Sequence, residues 1–218
     1  MGDLRLPDHV RFCEIGGQRI FLDLRADRYF GLPAAAEAAF AALLQEAGPQ
    51  SSAELDALRR SGLLVEAPDG GPIEPTRHPA PASSLIEEAD LPLGVNLPVV
   101  AEVLLLVLRA RCMVKRKRLE PDLGASRDLQ PPRLSQPERR DAAIGAFLRA
   151  RRLIPIVPNC LYDSLALRRF LRRRSIDVDL VIGVKLHPFA AHCWIQDGTT
   201  VLNDSLGSVR EFEPILVA

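Results

Sequence analysis

The sequence predicts an α+β protein made of two units, and three observations support this class. Short alternating patterns and then helical patterns occupy the first 65 residues, whereas a helical pattern followed by strand patterns occupies residues 160–204. Between them, residues 67–84 contain five prolines and two adjacent glycines, which is typical of a semi-extended tether. Strands and helices that segregate along the chain favour an α+β fold. We therefore predict units at residues 1–66 and 85–218, joined by a linker.

The first unit is predicted to begin with three short strands. Residues 10–14 and 19–24 alternate around two adjacent glycines, which indicates a tight hairpin. Residues 28–32 supply a third strand. One face of the hairpin is expected to carry three aliphatic side chains, namely Ile20, Leu22 and Leu24.

Two helices are predicted to follow the strands. Residues 34–46 are rich in alanine and place Phe40, Leu43 and Leu44 on one face, as expected for a helix that covers a small core. The segment Ser51-Ser52-Ala53-Glu54 has the spacing of a capping box, so a second helix is expected to begin there. Gly62 is a suitable residue for ending it.

The second unit contains the most apolar segment of the chain, residues 95–113. Charges at Glu102, Arg109 and Arg111 interrupt this segment, so it is predicted to be a central core helix and not a membrane span. Cys112 is expected to be buried in it. Residues 119–134 are predicted to form an irregular loop, and the next helix is expected over residues 135–153.

A cysteine opens the following helix. Pro158 ends the preceding segment and Asn159 is a good N-cap, so the helix is expected to run over residues 160–174. Cys160 and Ser164 share its apolar stripe, which directs the sulfur toward the protein body at the positive end of the helix dipole, where a thiolate is stabilised. Four arginines are expected on the flank that meets solvent, namely Arg168, Arg169, Arg172 and Arg173.

A histidine lies in the second of three strands predicted between residues 178 and 204. The turn before the third strand decides which later side chain can reach it. A two-residue turn at Asp197-Gly198 places Asn203 opposite His192, whereas a three-residue loop leaves Asp204 on the same face. We favour Asp204 and keep Asn203 as the alternative, since either side chain can orient an imidazole.

Cys160, His192 and Asp204 together supply a nucleophile, a base and an orienting acid. A single cysteine or histidine is more often a buried structural residue, but this combination on a helix and two later strands favours catalysis. Cys193 must face the other side of its strand and is expected in the core. A zinc site that includes His187 is disfavoured because no compact ligand pair anchors it. No glycine-rich nucleotide loop occurs in the sequence.

Three segments carry a resemblance to a known family: Cys160-Leu161-Tyr162, His192-Cys193-Trp194 and Asn203-Asp204-Ser205. They resemble the transglutaminase-like cysteine peptidase of lasso-peptide biosynthesis, often called the B protein. The resemblance implies a papain-like α+β domain with its Cys-His-Asp triad at Cys160, His192 and Asp204.

The same resemblance implies a function. The family removes the leader from a ribosomally made precursor peptide so that a partner, an asparagine-synthetase-like cyclase, can close a macrolactam ring. Bond cleavage itself is expected to need no cofactor, although some relatives are described as ATP-dependent peptidases. Two other functions use the same residues: acyl transfer to an amine, and delivery of the precursor by a protein with an idle triad.

The first 65 residues resemble the small winged-helix element that recognises leader peptides in many modified-peptide pathways. In that family the leader adds as an extra strand to the sheet, a recognition mode called β-augmentation. The resemblance implies that Tyr29, Phe30 and Leu32, on the third predicted strand, bind the leader. The alternative is that Tyr29 and Phe30 fill a small core.

Charge distribution and cysteine usage bear on two further properties, nucleic-acid binding and cellular location. Residues 1–100 carry 8 basic and 15 acidic side chains and residues 101–218 carry 20 and 13, within a formal net charge of +0. The basic runs lie beside apolar helical stripes without interleaved aromatics, which argues against nucleic-acid binding. The N-terminus lacks the pattern of a signal peptide, and four cysteines without a paired spacing suggest reduced thiols. These features predict a cytoplasmic protein.

Overall fold

The computed structural model describes residues 3–45, 53–67, 73–88, 94, 96–116 and 137–218. Its two compact units are Met1–Arg77 and His78–Ala218. Both contain helices and sheets, so the predicted α+β class is confirmed.

In its described residues, the first unit contains five strands and two helices. Its elements are β1 (Asp3–Arg5), β2 (Val10–Ile15), β3 (Gln18–Asp23), β4 (Arg28–Phe30), α1 (Ala34–Leu44), α2 (Ala53–Arg60) and β5 (Val65–Ala67). Strands β2, β3 and β4 form an antiparallel meander, and β1 pairs with β5 in a separate ribbon. The pairing of β1 was not predicted, because three residues are too short for a periodic signal.

An aromatic cluster forms the core of the first unit. The ring centroids of Phe12, Phe21 and Phe40 lie between 5.2 and 5.5 Å apart. Phe21 and Phe12 belong to the sheet face that packs on the helices. Successive residues of a strand point to opposite faces, and Leu22 is buried on the other one.

The helices of the first unit follow the sequence pattern. Phe40 is fully buried on α1, and Leu43 and Leu44 pack against the same core. Gly62 adopts a φ of 77° just after α2, and its N–H bonds to the carbonyl of Arg59 at 3.0 Å, as expected for a helix stop. The serines of the predicted capping box, residues 51 and 52, lie outside the described residues.

The prediction of a semi-extended tether over residues 67–84 is wrong for the part of it that the structure describes, residues 67 and 73–84. Ile73 packs against the core of the first unit, and the Thr76 N–H bonds to the Phe12 carbonyl at 2.8 Å. In the second unit, His78 Nε2 lies 3.2 Å from Asp179 Oδ2, and residues 83–84 form a strand. Prolines lack an N–H but keep their carbonyls, so such a segment can still pair at the edge of a sheet.

The second unit contains a five-stranded sheet and five helices in its described part. Its elements are β6 (Ser83–Ser84), α3 (Leu85–Glu88), α4 (Leu97–Lys115), α5 (Pro137–Arg152), α6 (Cys160–Arg172), β7 (Asp179–Leu186), β8 (Phe189–Asp197), β9 (Thr200–Val201), α7 (Leu206–Val209) and β10 (Glu213–Val217). The strand order is β10-β7-β8-β9-β6, and only the β6–β9 pair is parallel in this sheet. Helix α6 packs against both α4 and β8.

Helix α4 lies in the segment predicted to be a core helix, but its cysteine, Cys112, is not buried as expected. Val103, Leu106, Val107 and Ala110 are buried, whereas Cys112 is exposed. A helix packed on one side leaves about half of its circumference outside, and Cys112 falls on that half. Within the described residues, no helix combines the length and the apolar character that a membrane crossing requires.

The hairpin of β8 and β9 has a register that differs from both sequence alternatives. Gln196 pairs with Val201 and Asp197 with Thr200, so the connecting loop is Gly198 and Thr199. Gly198 has a φ of 58°, the left-handed conformation that this loop requires.

Candidate active site

Cys160 is the first residue of α6, and local bonds define that helix start. The Asn159 side chain accepts the N–H groups of Leu161 and Tyr162 at 3.1 and 3.2 Å, which is the N-cap arrangement expected from the sequence. Cys160 therefore lies at the positive end of the helix dipole, which favours an anion.

A buried arginine holds the segment that leads into this helix. Arg151 is 8% exposed, and its Nε donates to Asp163 Oδ1 at 2.6 Å. Its terminal nitrogens donate to the carbonyls of Ile154 and Ile156. The other oxygen of Asp163 accepts the Asn159 N–H at 3.2 Å. Asp163 thus joins the N-cap residue to Arg151, which binds the preceding segment, a function that sequence reasoning missed.

His192 lies on β8 between two aromatic rings. The Trp194 ring is 6.0 Å from the imidazole centroid and nearly parallel to it, and the Phe212 ring is 5.2 Å away. Gly183 is the residue opposite His192 on β7. The imidazole is thus packed against both aromatic rings.

Asp204 is held by two groups in addition to the histidine ring. Its Oδ2 lies 2.7 Å from His192 Nε2, while its Oδ1 accepts the Ser205 N–H at 2.7 Å. Its backbone carbonyl accepts the hydroxyl of Ser84, a buried residue of β6, also at 2.7 Å. The end of the predicted linker therefore contributes a contact to the acid, which the sequence pattern did not indicate.

The structure brings Cys160, His192 and Asp204 together. The Cys160 thiol forms a hydrogen bond with His192, and Asp204 bonds to Nε2 on the other side of the ring, so Nδ1 is the nitrogen that faces the sulfur. Asn203, the alternative to Asp204, does not contact the ring: it binds Ile195 and Ser164 instead.

The three ionisable groups shift one another's pKa values in the directions that favour a Cys160 thiolate and a His192 imidazolium. The hydrogen bond that His192 donates to Asp204, followed by that with Cys160, raises the pKa of His192 to about 9. The hydrogen bond with His192 lowers the pKa of Cys160, whereas burial of the thiol raises it. Hydrogen bonds with the backbone N–H groups of Cys193 and Leu161 lower this pKa further. Burial opposes ionisation of Asp204, but its bonds with His192 and Ser205 keep its pKa below the usual range.

Two neighbouring predictions have different outcomes. Cys193 is buried on the opposite face of β8, as expected, and burial strongly raises its pKa. Arg168, expected in solvent, is only 7% exposed and lies close enough to Cys193 to lower that pKa in part. It is four residues after Ser164 and therefore belongs to the buried side of α6, which the sequence analysis overlooked. Arg172 and Arg173 are exposed and Arg169 is half-buried.

No group of three or more His, Cys, Asp or Glu side chains that could hold a metal ion occurs among the described residues. His187 is exposed in the turn between β7 and β8, while Cys193 is buried on the strand. The potential zinc ligands Cys160, His187, His192 and Cys193 therefore do not form such a group.

The residues expected to bind a leader lie at one side of the first unit. Strand β4 is the last strand of the meander in the described part of the chain. Phe30 and Leu32 pack partly against the aromatic core, and the Phe30 ring stacks on Phe21 at 5.3 Å. Tyr29 pairs with Leu22 of the neighbouring strand β3 and is half-buried. Phe30 therefore has the core role that the sequence left open as an alternative.

Comparison with known proteins gives a family and one relative. Residues 103–217 match the family described as the transglutaminase-like superfamily. A stretch of 47 residues is 49% identical to the Microcin J25-processing protein McjB of Escherichia coli and covers 22% of this chain and 23% of that relative. The match thus spans about a quarter of the relative's length. No solved structure gives a significant match. The two matches confirm the resemblance to B-type proteins that the three motif segments indicated.

Proposed function

We propose that this chain, which belongs to the transglutaminase-like superfamily, is a cysteine peptidase that removes the leader of a lasso-peptide precursor. The observation that carries the proposal is the 2.7 Å contact between His192 Nε2 and Asp204 Oδ2, on a ring whose other side bonds to Cys160. A nucleophile, a base and a group that orients the base are the parts required for covalent hydrolysis.

The resting site is proposed to hold a thiolate and an imidazolium. A lowered pKa for Cys160 and a pKa of about 9 for His192 both favour this ion pair at neutral pH. Cys160 therefore needs no separate deprotonation step when the substrate binds. Asp204 accepts the Nε2–H and keeps Nδ1 directed toward the sulfur.

Hydrolysis then proceeds in two halves. The thiolate of Cys160 attacks the carbonyl carbon at the leader–core junction, and the Cys160 N–H at the start of α6 stabilises the oxyanion. The imidazolium of His192 gives its proton to the departing amine, which releases the core peptide with a new amino terminus. His192, now neutral, takes a proton from water; the hydroxide attacks the thioester and frees the leader carboxylate together with the thiolate.

The substrate class is supported by the relative and by the first unit. McjB is a processing protein for microcin J25, and a short but closely similar stretch links it to this chain. The first unit presents β4 at the end of a small sheet, where a leader can add as a further strand next to Tyr29, Phe30 and Leu32. The core peptide would pass to an asparagine-synthetase-like cyclase, and ATP dependence stays a prediction from the family.

The decisive experiment incubates the purified chain with its precursor peptide, with and without ATP and the cyclase, and weighs the products. Peptidase activity gives two fragments whose summed mass exceeds the precursor by one water. Cys160→Ala should abolish cleavage while leader binding, measured by fluorescence anisotropy, remains. A joined product with an added amine would instead indicate acyl transfer, and undiminished cleavage by Cys160→Ala would indicate that Cys160 is not the nucleophile.

A further inference from the structure

Strand β9 pairs only with the C-terminal end of β8 and does not extend to His192, whereas β7 pairs with β8 along its length. Strand β9 ends at Val201, and the last backbone bond between the two runs from the Leu202 N–H to the Ile195 carbonyl at 2.9 Å. Cys193 and Ile195 are buried, so their backbone groups need other partners beyond this point.

Side chains supply these partners. The Ile195 N–H donates to Asn203 Oδ1 at 2.7 Å, where an uninterrupted ladder would offer a backbone carbonyl. The Ser164 hydroxyl donates to the Cys193 carbonyl at 3.1 Å, and the Cys193 N–H bonds to the Cys160 sulfur. The Asn203 Nδ2 completes the chain by donating to Ser164 Oγ at 3.0 Å. Asn203 and Ser164 thus replace a strand along this edge of β8.

We infer that Asn203, acting with Ser164, is a positioning residue that aligns the three elements carrying Cys160, His192 and Asp204. The inference rests on the proposed function and deepens it. Ser164 lies one helical turn after Cys160, Asn203 directly precedes Asp204, and both bind β8 within three residues of His192. One small network therefore links all three members of the triad, although neither Asn203 nor Ser164 bonds to a reacting atom in it.

The geometry explains why an amide is suited to this position. Only a side chain with both an acceptor and a donor can take the Ile195 N–H and reach the Ser164 hydroxyl together. Because the Asn203 side chain accepts the Ile195 N–H, the backbone can turn away from β8 after residue 202. This turn places the Asp204 carboxylate next to Nε2 of His192. Loss of either side chain leaves a buried polar group without its partner and frees the Asp204 segment to shift.

The test measures the reactivity of the Cys160 thiol directly, so it does not depend on peptidase activity. Full-length protein carrying Cys112→Ser is alkylated with iodoacetamide across the pH range, because Cys112 is exposed whereas Cys13 and Cys193 are buried. The variants are Asn203→Ala, Ser164→Ala and both together. The control is Ile144→Ala, which creates a cavity in α5 away from the network. Leader cleavage is measured for the same set.

We expect each single variant to slow alkylation of Cys160 at pH ~6 by about 10-fold, the usual size of an effect from a group that orients a reactive one. The kcat for cleavage should fall about 10- to 100-fold with KM nearly unchanged, since a misalignment near 1 Å has that consequence. The double variant should be no worse than the more damaging single one, because residues of one network are not additive. Ile144→Ala should lower stability and leave the alkylation profile unchanged.

Two results overturn the inference. One is a folded Asn203→Ala protein with the parent's alkylation profile; the other is a double variant whose losses are the product of the two single losses. Should Asn203→Ala not fold, Ser164→Ala, which removes only one hydroxyl, decides the outcome by the same profile. A parent protein that has a reactive thiolate but cleaves no precursor would refute the proposed peptidase while the alkylation series still tests the network.

Discussion

Gly183 lies directly across the β7–β8 ladder from His192, and other side chains fill the space where its own would be. A Cβ at this position would lie 2.8 Å from the Trp194 ring and 2.8 Å from the Phe212 Cβ. The glycine thus lets both aromatic side chains pack beside the imidazole.

Gly183→Ala is therefore expected to displace Trp194 or Phe212 and to move His192 with them. Overpacking of a buried site costs about 1–3 kcal/mol of the free energy of unfolding. Trp194 is the only tryptophan of the chain, so its fluorescence during urea unfolding reports on this region. Cleavage activity should fall in the same variant.

Gly207→Ala is the matched control for this change. Gly207 lies in α7, and nothing is found within 4 Å of a Cβ built there. It should leave the unfolding curve and the activity nearly unchanged. Equal effects of the two substitutions would contradict the packing argument.

The pH dependence of cleavage should be bell-shaped. The active ion pair exists only above the lowered pKa of Cys160 and below the pKa of His192, about 9. As pH rises, kcat/KM should first increase at a pH below that of an ordinary thiol and then decrease near pH 9 as the imidazolium loses its proton. An alkaline decrease centred near 6.5 in the parent would contradict this assignment.

Asp204→Asn should move the alkaline side of that profile to lower pH. The hydrogen bond that His192 donates to the Asp204 carboxylate is the largest contribution to the raised pKa of His192, and a neutral amide cannot stabilise the imidazolium in the same way. The alkylation profile of Cys160 should move toward that of a free thiol. An unchanged alkaline side would show that Asp204 does not stabilise the imidazolium.

Asp163→Asn should weaken the segment that precedes α6. It leaves the buried guanidinium of Arg151 without its carboxylate, and breaking a buried pair from one side costs about 3 kcal/mol. The fluorescence of Trp194 during urea unfolding measures the loss. Arg173→Gln is the control, because that ion pair is 62% exposed at the arginine and should contribute less than about 1 kcal/mol. Comparable losses in both variants would contradict the role of burial.

Tyr29→Ala should weaken binding of a labelled leader about 10-fold, since one anchor side chain of an added strand contributes on the order of 1 kcal/mol. Tyr29 is chosen because it does not belong to the aromatic core that holds Phe30. Cleavage of very short peptides should be less affected. Gln18→Ala, an exposed change on β3, is the control, and equal leader affinity for parent and Tyr29→Ala would refute the proposed binding strand.

Some features of the fold and of the candidate site can be predicted from the local sequence pattern, whereas others depend on pairing between distant segments. The start of α6 at Cys160 is a local event, because the Asn159 cap acts on N–H groups two and three residues away. The placement of Cys193 in the core also follows from strand alternation alone. The first-unit helix at Phe40 follows its own periodicity in the same way.

The contacts across the sheet were decided only by the tertiary structure. Both predicted registers of the β8–β9 hairpin were wrong, and Asp204 reaches His192 because the chain leaves the strand at residue 202, where Asn203 replaces the ladder. The register depends on which backbone groups of the two segments form hydrogen bonds. A shift of one residue moves every side chain of the strand to the opposite face of the sheet.

The sequence by itself determined the chemistry that is available: one thiol at a helix start, one imidazole on a strand, and a neighbouring acid or amide after the next turn. The tertiary structure decided which of these groups meet, that Arg168 is buried and Cys112 exposed, and that residues 73–84 pack instead of running free. The physical reason is range, since caps and periodicity act within a few residues, whereas burial and hydrogen-bond pairing depend on segments more than a hundred residues apart, such as Ser84 and Asp204.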